Sequence, residues 1–239
     1  TARGLSRGDS RLVSRAVFAH ERWRGWLDPA WPLRERVDQA LERARAFRRD
    51  PEAIGAEELR QRAIPAWVAD EMEVTVDWLR ALQSEPPVWI RARPGEGESL
   101  ASRLEQCRSV GKGPLADALQ YTGPLDLFRT PAFTEGRFEI QDLHSQAVGW
   151  MGAAQPGETW WDACAGEGGK TLHLGDAMAN RGLIWATDRA EWRLEQLKRR
   201  AARAGLSTVH PICIASENDI RVKRLAGKVD RVLVDAPCS

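Results

Sequence analysis

The chain has 239 residues, of which 43% are apolar and 29% charged, the composition of a folded globular protein with one large domain or two to three small ones. Thirty-five basic side chains against 34 acidic ones give a net charge of +1, which excludes a whole-chain field that would draw the protein onto nucleic acid. The four cysteines form no CxxC pair and do not cluster with the four histidines, which argues against a zinc site or disulfide framework and favours a reducing cytoplasm. We predict no metal and no membrane partner, since no stretch approaches the ~20 apolar residues of a membrane span.

Neither end of the sequence has the features of a natural terminus. The chain begins with Thr1 rather than a methionine, and its first residues lack the apolar core of a signal peptide. Residues 232–239 stop directly after a strand-like apolar run. We therefore expect the chain to be truncated at both ends.

Residues 1–62 are expected to form a partial helical segment. Leu33, Val37 and Leu41 recur at four-residue intervals, which marks one apolar face of a helix, and Pro51 closes the pattern.

Residues 63–152 have a different pattern and are expected to form a small α+β subdomain. A helical pattern runs to Leu82 and is broken by two prolines, and residues 88–93 and 138–140 are predicted strands.

Residues 153–239 alternate apolar strands with amphipathic helices. The predicted strands cover residues 159–164, 183–188, 209–214 and 229–235. This alternation is typical of a parallel, doubly wound sheet, so the predicted fold class is α/β, with the first four strands of a Rossmann-like domain present.

A glycine-rich turn at residues 162–171 follows the first of these strands, and three nucleotide-binding interpretations compete for it. A Walker A loop requires glycine at Cys164, and a dinucleotide fingerprint requires glycine at Thr171, so each fails at one position. The third interpretation is a turn that binds S-adenosylmethionine. Glu167 favours it, because a carboxylate beside a helix N-terminus suits a cationic sulfonium better than a pyrophosphate.

Acidic residues at later strand ends support a cofactor site. Asp188 ends the second predicted strand and Asp235 the fourth, and the motif that begins at Asp162 lies at the carboxyl end of the first. Ligands of parallel sheets bind beyond the carboxyl ends of the strands. A carboxylate at Asp188 can there accept the hydroxyls of a ribose.

These motifs together resemble the Sun/Fmu/RsmB-type (NOL1/NOP2/Sun) RNA cytosine-5 methyltransferases. The resemblance is carried by the glycine turn 162–171, by Asp188 with Arg193, and by the run Asp-Arg-Val-Leu-Val-Asp-Ala-Pro-Cys-Ser at 230–239. Residues 133–142, with Ser145-Gln146, are similar to the segment that precedes the catalytic domain in that family.

Two upstream segments extend the resemblance. Residues 87–91 resemble the opening strand of the family's RNA-recognition-like subdomain, and residues 5–28 resemble the end of a NusB-like helical RNA-binding domain. The implied organisation is a NusB-like segment at 1–62, an RNA-recognition-like subdomain at 63–152 and a partial catalytic domain at 153–239.

The resemblance implies S-adenosyl-L-methionine as cofactor and RNA as partner, with ribosomal RNA favoured and transfer RNA as the alternative. The implied cofactor-binding residues are Cys164, Ala165, Gly166, Glu167, Gly168, Gly169, Lys170, Asp188, Arg193, Ser216 and Asp235. Two of them depart from the family pattern. Glu167 stands where proline or alanine is usual, and Ser216 where an aspartate contacts the adenine, a role that Asn218 or Asp219 could also fill.

The implied chemistry uses two cysteines and a carboxylate. A thiolate adds to carbon 6 of cytosine, which makes carbon 5 nucleophilic toward the methyl group. Asp235 is expected to stabilise this adduct near ring nitrogen 3, and Cys238 to act in release of the product. The covalent nucleophile is expected in a Thr-Cys motif beyond Ser239, since none of the four cysteines follows a threonine.

The alternative function is a non-catalytic RNA-binding protein that keeps a relic methyltransferase fold, which Glu167 and Ser216 would favour. The tryptophans that we expect to stack on bases are Trp23, Trp26 and Trp31. Four others lie in apolar sequence patterns and are expected in the core: Trp67, Trp78, Trp160 and Trp185. The basic residues of the helix after the second strand, Arg193 apart, are expected to be solvated surface: Arg189, Lys198, Arg199, Arg200 and Arg203.

Overall fold

The structure is a computed structural model that describes residues 7–236. The chain forms two compact units, residues 1–86 and 87–239. The described part of the first unit is helical. Its helices are α1 (Arg7–Trp23), α2 (Leu33–Arg49), α3 (Ala56–Arg62), α4 (Val68–Glu71) and α5 (Val76–Gln83).

The helical unit packs around Trp23, which is fully buried. The Trp23 ring meets Trp26 edge-on, with 5.0 Å between ring centroids, and Phe47 at 5.4 Å. Leu79 of α5 belongs to the same core. Residues 63–86 therefore pack with the helical unit, and the boundary between units lies at 86/87 rather than at the expected 62/63.

Burial corrects three predictions about tryptophans. Trp23 and Trp26 are 0% and 5% exposed, so their assignment as stacking candidates is wrong. Trp67 was expected in the core and is 63% exposed. Trp23 ends α1 and packs against residues of other helices, among them Phe47 of α2. The periodicity within one helix does not show such contacts.

The second unit begins with a four-stranded antiparallel sheet of order β2-β3-β1-β4. Its strands are β1 (Val88–Ala92), β2 (Cys107–Ser109), β3 (Ala118–Tyr121) and β4 (Phe138–Ile140). The helices of this α+β subdomain are α6 (Gly97–Arg103), α7 (Pro131–Thr134) and α8 (Leu143–Met151). One face of the sheet is apolar and packs around Ile90, Leu119 and Phe138.

The rest of the unit confirms the predicted Rossmann-like sheet. Four parallel strands lie in the order β7-β6-β5-β8. They are β5 (Thr159–Asp162), β6 (Leu183–Asp188), β7 (Val209–Cys213) and β8 (Arg231–Leu233), and the connecting helices are α9 (Gly169–Ala177), α10 (Glu191–Arg203) and α11 (Ile220–Lys223). Gly205, with φ +67°, follows the end of α10 in the left-handed conformation that commonly terminates a helix.

Two buried ion-pair clusters join the α+β subdomain to the Rossmann-like sheet. Arg91 of β1 and Arg93, which follows that strand, both pair with Asp176 of α9, whose side chain is 6% exposed. Glu139 of β4, 2% exposed, pairs with Arg200 and Arg203 of α10. These two arginines are about one-fifth exposed, so the prediction that they are solvated surface is wrong.

Candidate functional site

The candidate site lies where the order of the parallel strands reverses. The chain runs outward from β5 to β6 and β7, then returns to place β8 on the other side of β5. Crevices at such a reversal, beyond the carboxyl ends of the strands, are the usual ligand sites of open α/β sheets. Asp162 ends β5, Asp188 ends β6, and Asp235 follows β8, so all three predicted acids reach this edge.

The glycine turn connects β5 to α9 and depends on backbone conformations that favour glycine. Gly166 has φ +54°, and Gly168, the N-cap of α9, has φ +88°. A Cβ built on Gly168 would lie 2.1 Å from Leu197 Cδ1, whereas one on Gly166 would meet nothing within 4 Å. Glycine is therefore favoured at both positions by φ, and at Gly168 a side chain would in addition force the buried Leu197 side chain to shift.

Asp188 closes this turn. Its carboxylate accepts the backbone N–H of Gly166 at 2.9 Å and that of Ala190 at 2.8 Å. The neighbouring peptide is anchored by a bond from the Ala165 N–H to the carbonyl of Thr187 at 2.9 Å. The structure thus brings Asp188 to the turn predicted to need it, and both carboxylate oxygens already hold backbone there.

Asp162 lies directly beneath the turn and is 1% exposed. Its Oδ2 accepts the Thr171 hydroxyl at 2.7 Å, while its buried Oδ1 makes no hydrogen bond of standard geometry. Burial raises the pKa of Asp162 to about 6, against the lowering effect of hydrogen bonds from the Thr171 hydroxyl and the Cys164 backbone. A buried carboxylate oxygen with free acceptor capacity is a candidate contact for a donor group of a ligand.

A small cavity of about 100 Å³ opens beside Asp162, and Lys170 and Asp235 form an ion pair on its wall. The Lys170 ammonium donates to Asp235 Oδ2 at 2.6 Å and to the Ser145 hydroxyl at 3.4 Å. Gln141 also lines the cavity and donates to the Gly169 carbonyl at 3.1 Å.

Gln141 and Ser145 had been assigned no role from the sequence. The signal for them was present, because both lie in or beside the 133–142 segment that carries part of the family resemblance. What the sequence could not show is that the loop after β4 returns to the glycine turn.

The cysteines differ in what the structure says of them. Cys164 lines the cavity, and burial together with Asp162, Asp188 and Asp235 raises the pKa of its thiol. Cys238 lies outside the described residues, so its predicted role stays a prediction.

Six of the predicted cofactor residues do not line the cavity, and three of these, Gly166, Gly168 and Asp188, form and close the glycine turn. The other three are Glu167, Arg193 and Ser216. Glu167 is exposed at the tip of the turn, and Arg193 is exposed, with its guanidinium carbon 5.2 Å from the centroid of its neighbour Trp192. Ser216 follows β7 and its hydroxyl accepts the Asn218 N–H at 3.2 Å. Asp219, the suggested substitute, caps α11 and pairs with Arg221. The roles of Glu167, Arg193 and Ser216 stay predictions.

Across residues 7–236, no group of three or more His, Cys, Asp or Glu side chains is arranged to hold a metal ion. Within the same range, no helix has the length and apolarity to cross a membrane.

Comparison with known sequences finds similarity to a named family. Residues 150–239 match the family described as 16S rRNA methyltransferase RsmB/F. The chain is 31% identical over 199 residues to the probable ribosomal RNA small subunit methyltransferase B of Synechocystis, covering 75% of the chain and 42% of that relative. It is 29% identical over 171 residues to the 26S rRNA (cytosine-C(5))-methyltransferase nsun-1 of Caenorhabditis elegans, covering 69% of the chain and 25% of that protein.

A solved structure gives the same result for the fold. A methyltransferase homologue from Pyrococcus horikoshii superposes with a TM-score of 0.59 at 27% identity, covering 69% of this chain and 54% of the other. The resemblance inferred from the motifs is therefore confirmed. The chain spans less than half the length of the curated relatives it matches.

Proposed function

Because residues 150–239 belong to the RsmB/F methyltransferase family, we propose that this chain forms part of an S-adenosylmethionine-dependent enzyme that methylates carbon 5 of cytosine in ribosomal RNA. The observation that carries the proposal is the meeting of two features at the strand reversal: a glycine turn closed by Asp188, and a Lys170–Asp235 pair beside it. An RNA-modifying role also fits our expectation of a cytoplasmic protein.

The residues at the turn suit S-adenosylmethionine. When bound, this cofactor supplies a methyl group on a cationic sulfonium. Three carboxylates, those of Asp162, Asp188 and Asp235, surround the turn, while the Lys170 ammonium is already paired with one of them. The buried Oδ1 of Asp162 can accept from an ammonium group, and Asp188 retains lone pairs for ribose hydroxyls. The donor set therefore favours a cationic nucleoside over a phosphate.

The Lys170–Asp235 pair is the group we assign to the cytosine ring. Addition of a thiolate to carbon 6 places charge or a proton at ring nitrogen 3. Asp235 is 54% exposed at the mouth of the cavity and is held by Lys170, so its carboxylate is oriented before a base arrives. A flipped or unpaired base is needed to reach it.

Cys164 is the cavity's own thiol, and we do not assign it the nucleophile. Its raised pKa keeps the thiol protonated, and the surrounding carboxylates oppose formation of a thiolate. The covalent bond is therefore assigned to a cysteine other than Cys164, with Cys238 kept in the product-release role that its Pro-Cys context implies.

Cofactor binding is the first test, because the chain is shorter than its relatives and binding does not require turnover. S-adenosylmethionine should raise the melting temperature of the chain, since a ligand that binds only the folded state stabilises it. Asp188→Ala should abolish the shift. Asp230→Ala is the matched control, because Asp230 accepts the Thr159 N–H at 2.7 Å at the opposite end of β5. Equal shifts in all three proteins would remove Asp188 from the site.

The acceptor is tested with the full reading frame that encodes this chain. Labelled methyl groups should appear in ribosomal RNA as 5-methylcytidine, identified by mass spectrometry of the digested nucleosides. Asp235→Asn should suppress the product without abolishing the cofactor-dependent melting shift. RNA binding without any cofactor-dependent shift would instead support the non-catalytic alternative.

A further inference from the structure

Arg200 reaches the glycine turn from α10 while paired with the α+β subdomain. Its Nε and Nη2 donate to Glu139 Oε2 at 3.1 and 2.9 Å, and its Nη1 donates to the Glu167 carbonyl at 2.8 Å. One guanidinium thus joins a buried carboxylate of β4 to the backbone of the turn.

Glu139 fixes the orientation of this guanidinium. Its side chain is 2% exposed, and a carboxylate so buried requires compensating charge. Arg203 supplies the second cation, donating to Oε1 at 2.5 Å, with its guanidinium carbon 3.9 Å from the centroid of the Phe133 ring. Because both carboxylate oxygens are occupied, Arg200 has little freedom to turn its remaining donor away from the Glu167 carbonyl.

The contact fixes one peptide plane of the turn. The Glu167 carbonyl and the Gly168 N–H belong to the same planar peptide group. The N–H donates to the Ala165 carbonyl at 2.9 Å, and the carbonyl accepts from Arg200, so the plane is held at both ends. Gly166 and Gly168, which flank Glu167, both have positive φ, and glycine imposes no conformational preference of its own there.

We infer that Arg200 is a positioning residue for the glycine turn, and that Glu139 makes the α+β subdomain a structural part of the cofactor site. The contacts themselves show that Arg200 holds the turn, whereas an effect of Arg200 on S-adenosylmethionine binding rests on the proposed function. The α+β subdomain is in this way coupled to the glycine turn through a single guanidinium.

Arg203 provides a matched control for the test. Arg203→Ala and Arg200→Ala each leave Glu139 with one arginine and remove a side chain of the same exposure from the same helix, but only Arg200 touches the turn. Amide hydrogen exchange of residues 165–169 is measured without ligand. Arg200→Ala should speed exchange of the Gly168 amide by about tenfold, the effect of losing a hydrogen bond to a charged group. Arg203→Ala should change it less than about threefold.

Two further arms keep the inference falsifiable. If the alanine variant does not fold, Arg200→Lys replaces it, since an ammonium cannot fill the forked contacts to Glu139 and Glu167 together, and faster exchange is still expected. The dissociation constant for S-adenosylmethionine should rise about tenfold in Arg200→Ala only, matching the exchange effect. Unchanged exchange in Arg200→Ala, or an equal increase in Arg203→Ala, overturns the positioning role. Absence of cofactor binding by the unmodified protein of the full reading frame refutes the proposed function and leaves the exchange result intact.

Discussion

Alanine substitutions at three glycines of the cofactor turn separate the two reasons for which glycine is required. Gly168 combines φ +88° with a Cβ position 2.1 Å from Leu197 Cδ1. A left-handed conformation costs a non-glycine residue about 1–2 kcal/mol, and overpacking a core adds about 1–3 kcal/mol. Gly168→Ala should therefore lower the free energy of unfolding by about 2–5 kcal/mol.

The other two glycines separate the conformational cost from the packing cost. Gly166 has φ +54° and open space around its Cβ position, so Gly166→Ala should cost only the conformational term of about 1–2 kcal/mol. Gly169 begins α9 without a positive φ, and its Cβ would lie 3.9 Å from Gln141 Nε2, an ordinary contact. Gly169→Ala should leave stability unchanged or raise it by up to about 1 kcal/mol, because alanine favours the helix.

Urea unfolding followed by far-ultraviolet circular dichroism measures all three free energies under one set of conditions. The expected order of stability is Gly169→Ala, then Gly166→Ala, then Gly168→Ala. If Gly168→Ala proved no less stable than Gly166→Ala, Leu197 would have to move aside at no cost, and the packing argument for the turn would be refuted.

Three other substitutions test the buried charges. The pKa of Asp162 is raised from 3.8 to about 6, so this carboxyl ionises in the unfolded chain at a lower pH than in the folded one, and stability falls as pH rises from about 4 to about 6. Urea unfolding should show the free energy of unfolding of the unmodified protein falling by up to about 3 kcal/mol relative to Asp162→Asn across that window. A difference between the two proteins that does not change with pH would contradict the burial effect. Burial lowers the pKa of His173 from 6.5 to about 3, so the stability that the neutral imidazole contributes is present above about pH 6.5 and is lost as pH falls below it. In thermal melts, His173→Gln should reduce the fall of the melting temperature below about pH 6.5. An unchanged fall would show that other groups cause it. Asp176→Asn should lower the free energy of unfolding by about 3–5 kcal/mol, because it leaves two buried arginines without their carboxylate. The control Glu195→Gln, which breaks the exposed pair with Lys198, should lower it by less than about 1 kcal/mol. Equal effects would show that burial does not strengthen the ion pairs of Asp176.

The parts of the fold that the sequence predicted are those specified locally. The strands of the parallel sheet were predicted because apolar runs alternate with amphipathic helices at short range, and β5 and β6 formed as expected. The acids of the site were predicted because the ends of parallel strands share one edge, which brings Asp162, Asp188 and Asp235 together once the sheet forms.

The parts that were missed depend on contacts distant in sequence. Trp23 lies on a helix whose pattern does not reveal its partners, and its burial depends on α2 and α5. Arg200 lies in a run of charged residues and meets Glu139 across 61 positions, which no local pattern records. Gln141, which follows β4, likewise meets Gly169 across 28 positions.

The charge around the turn distinguishes among the three nucleotide-binding interpretations that its glycines left open. A phosphate-binding loop needs its lysine free to meet the ligand, but the Lys170 ammonium lies 2.6 Å from Asp235. The same carboxylates that raise the pKa of the Cys164 thiol would repel a phosphate placed beside it. Since an anionic surrounding opposes a second anion and stabilises a cation, the field here favours a sulfonium over a pyrophosphate. The glycines thus allow close approach of a ligand, and the carboxylates determine the sign of its charge.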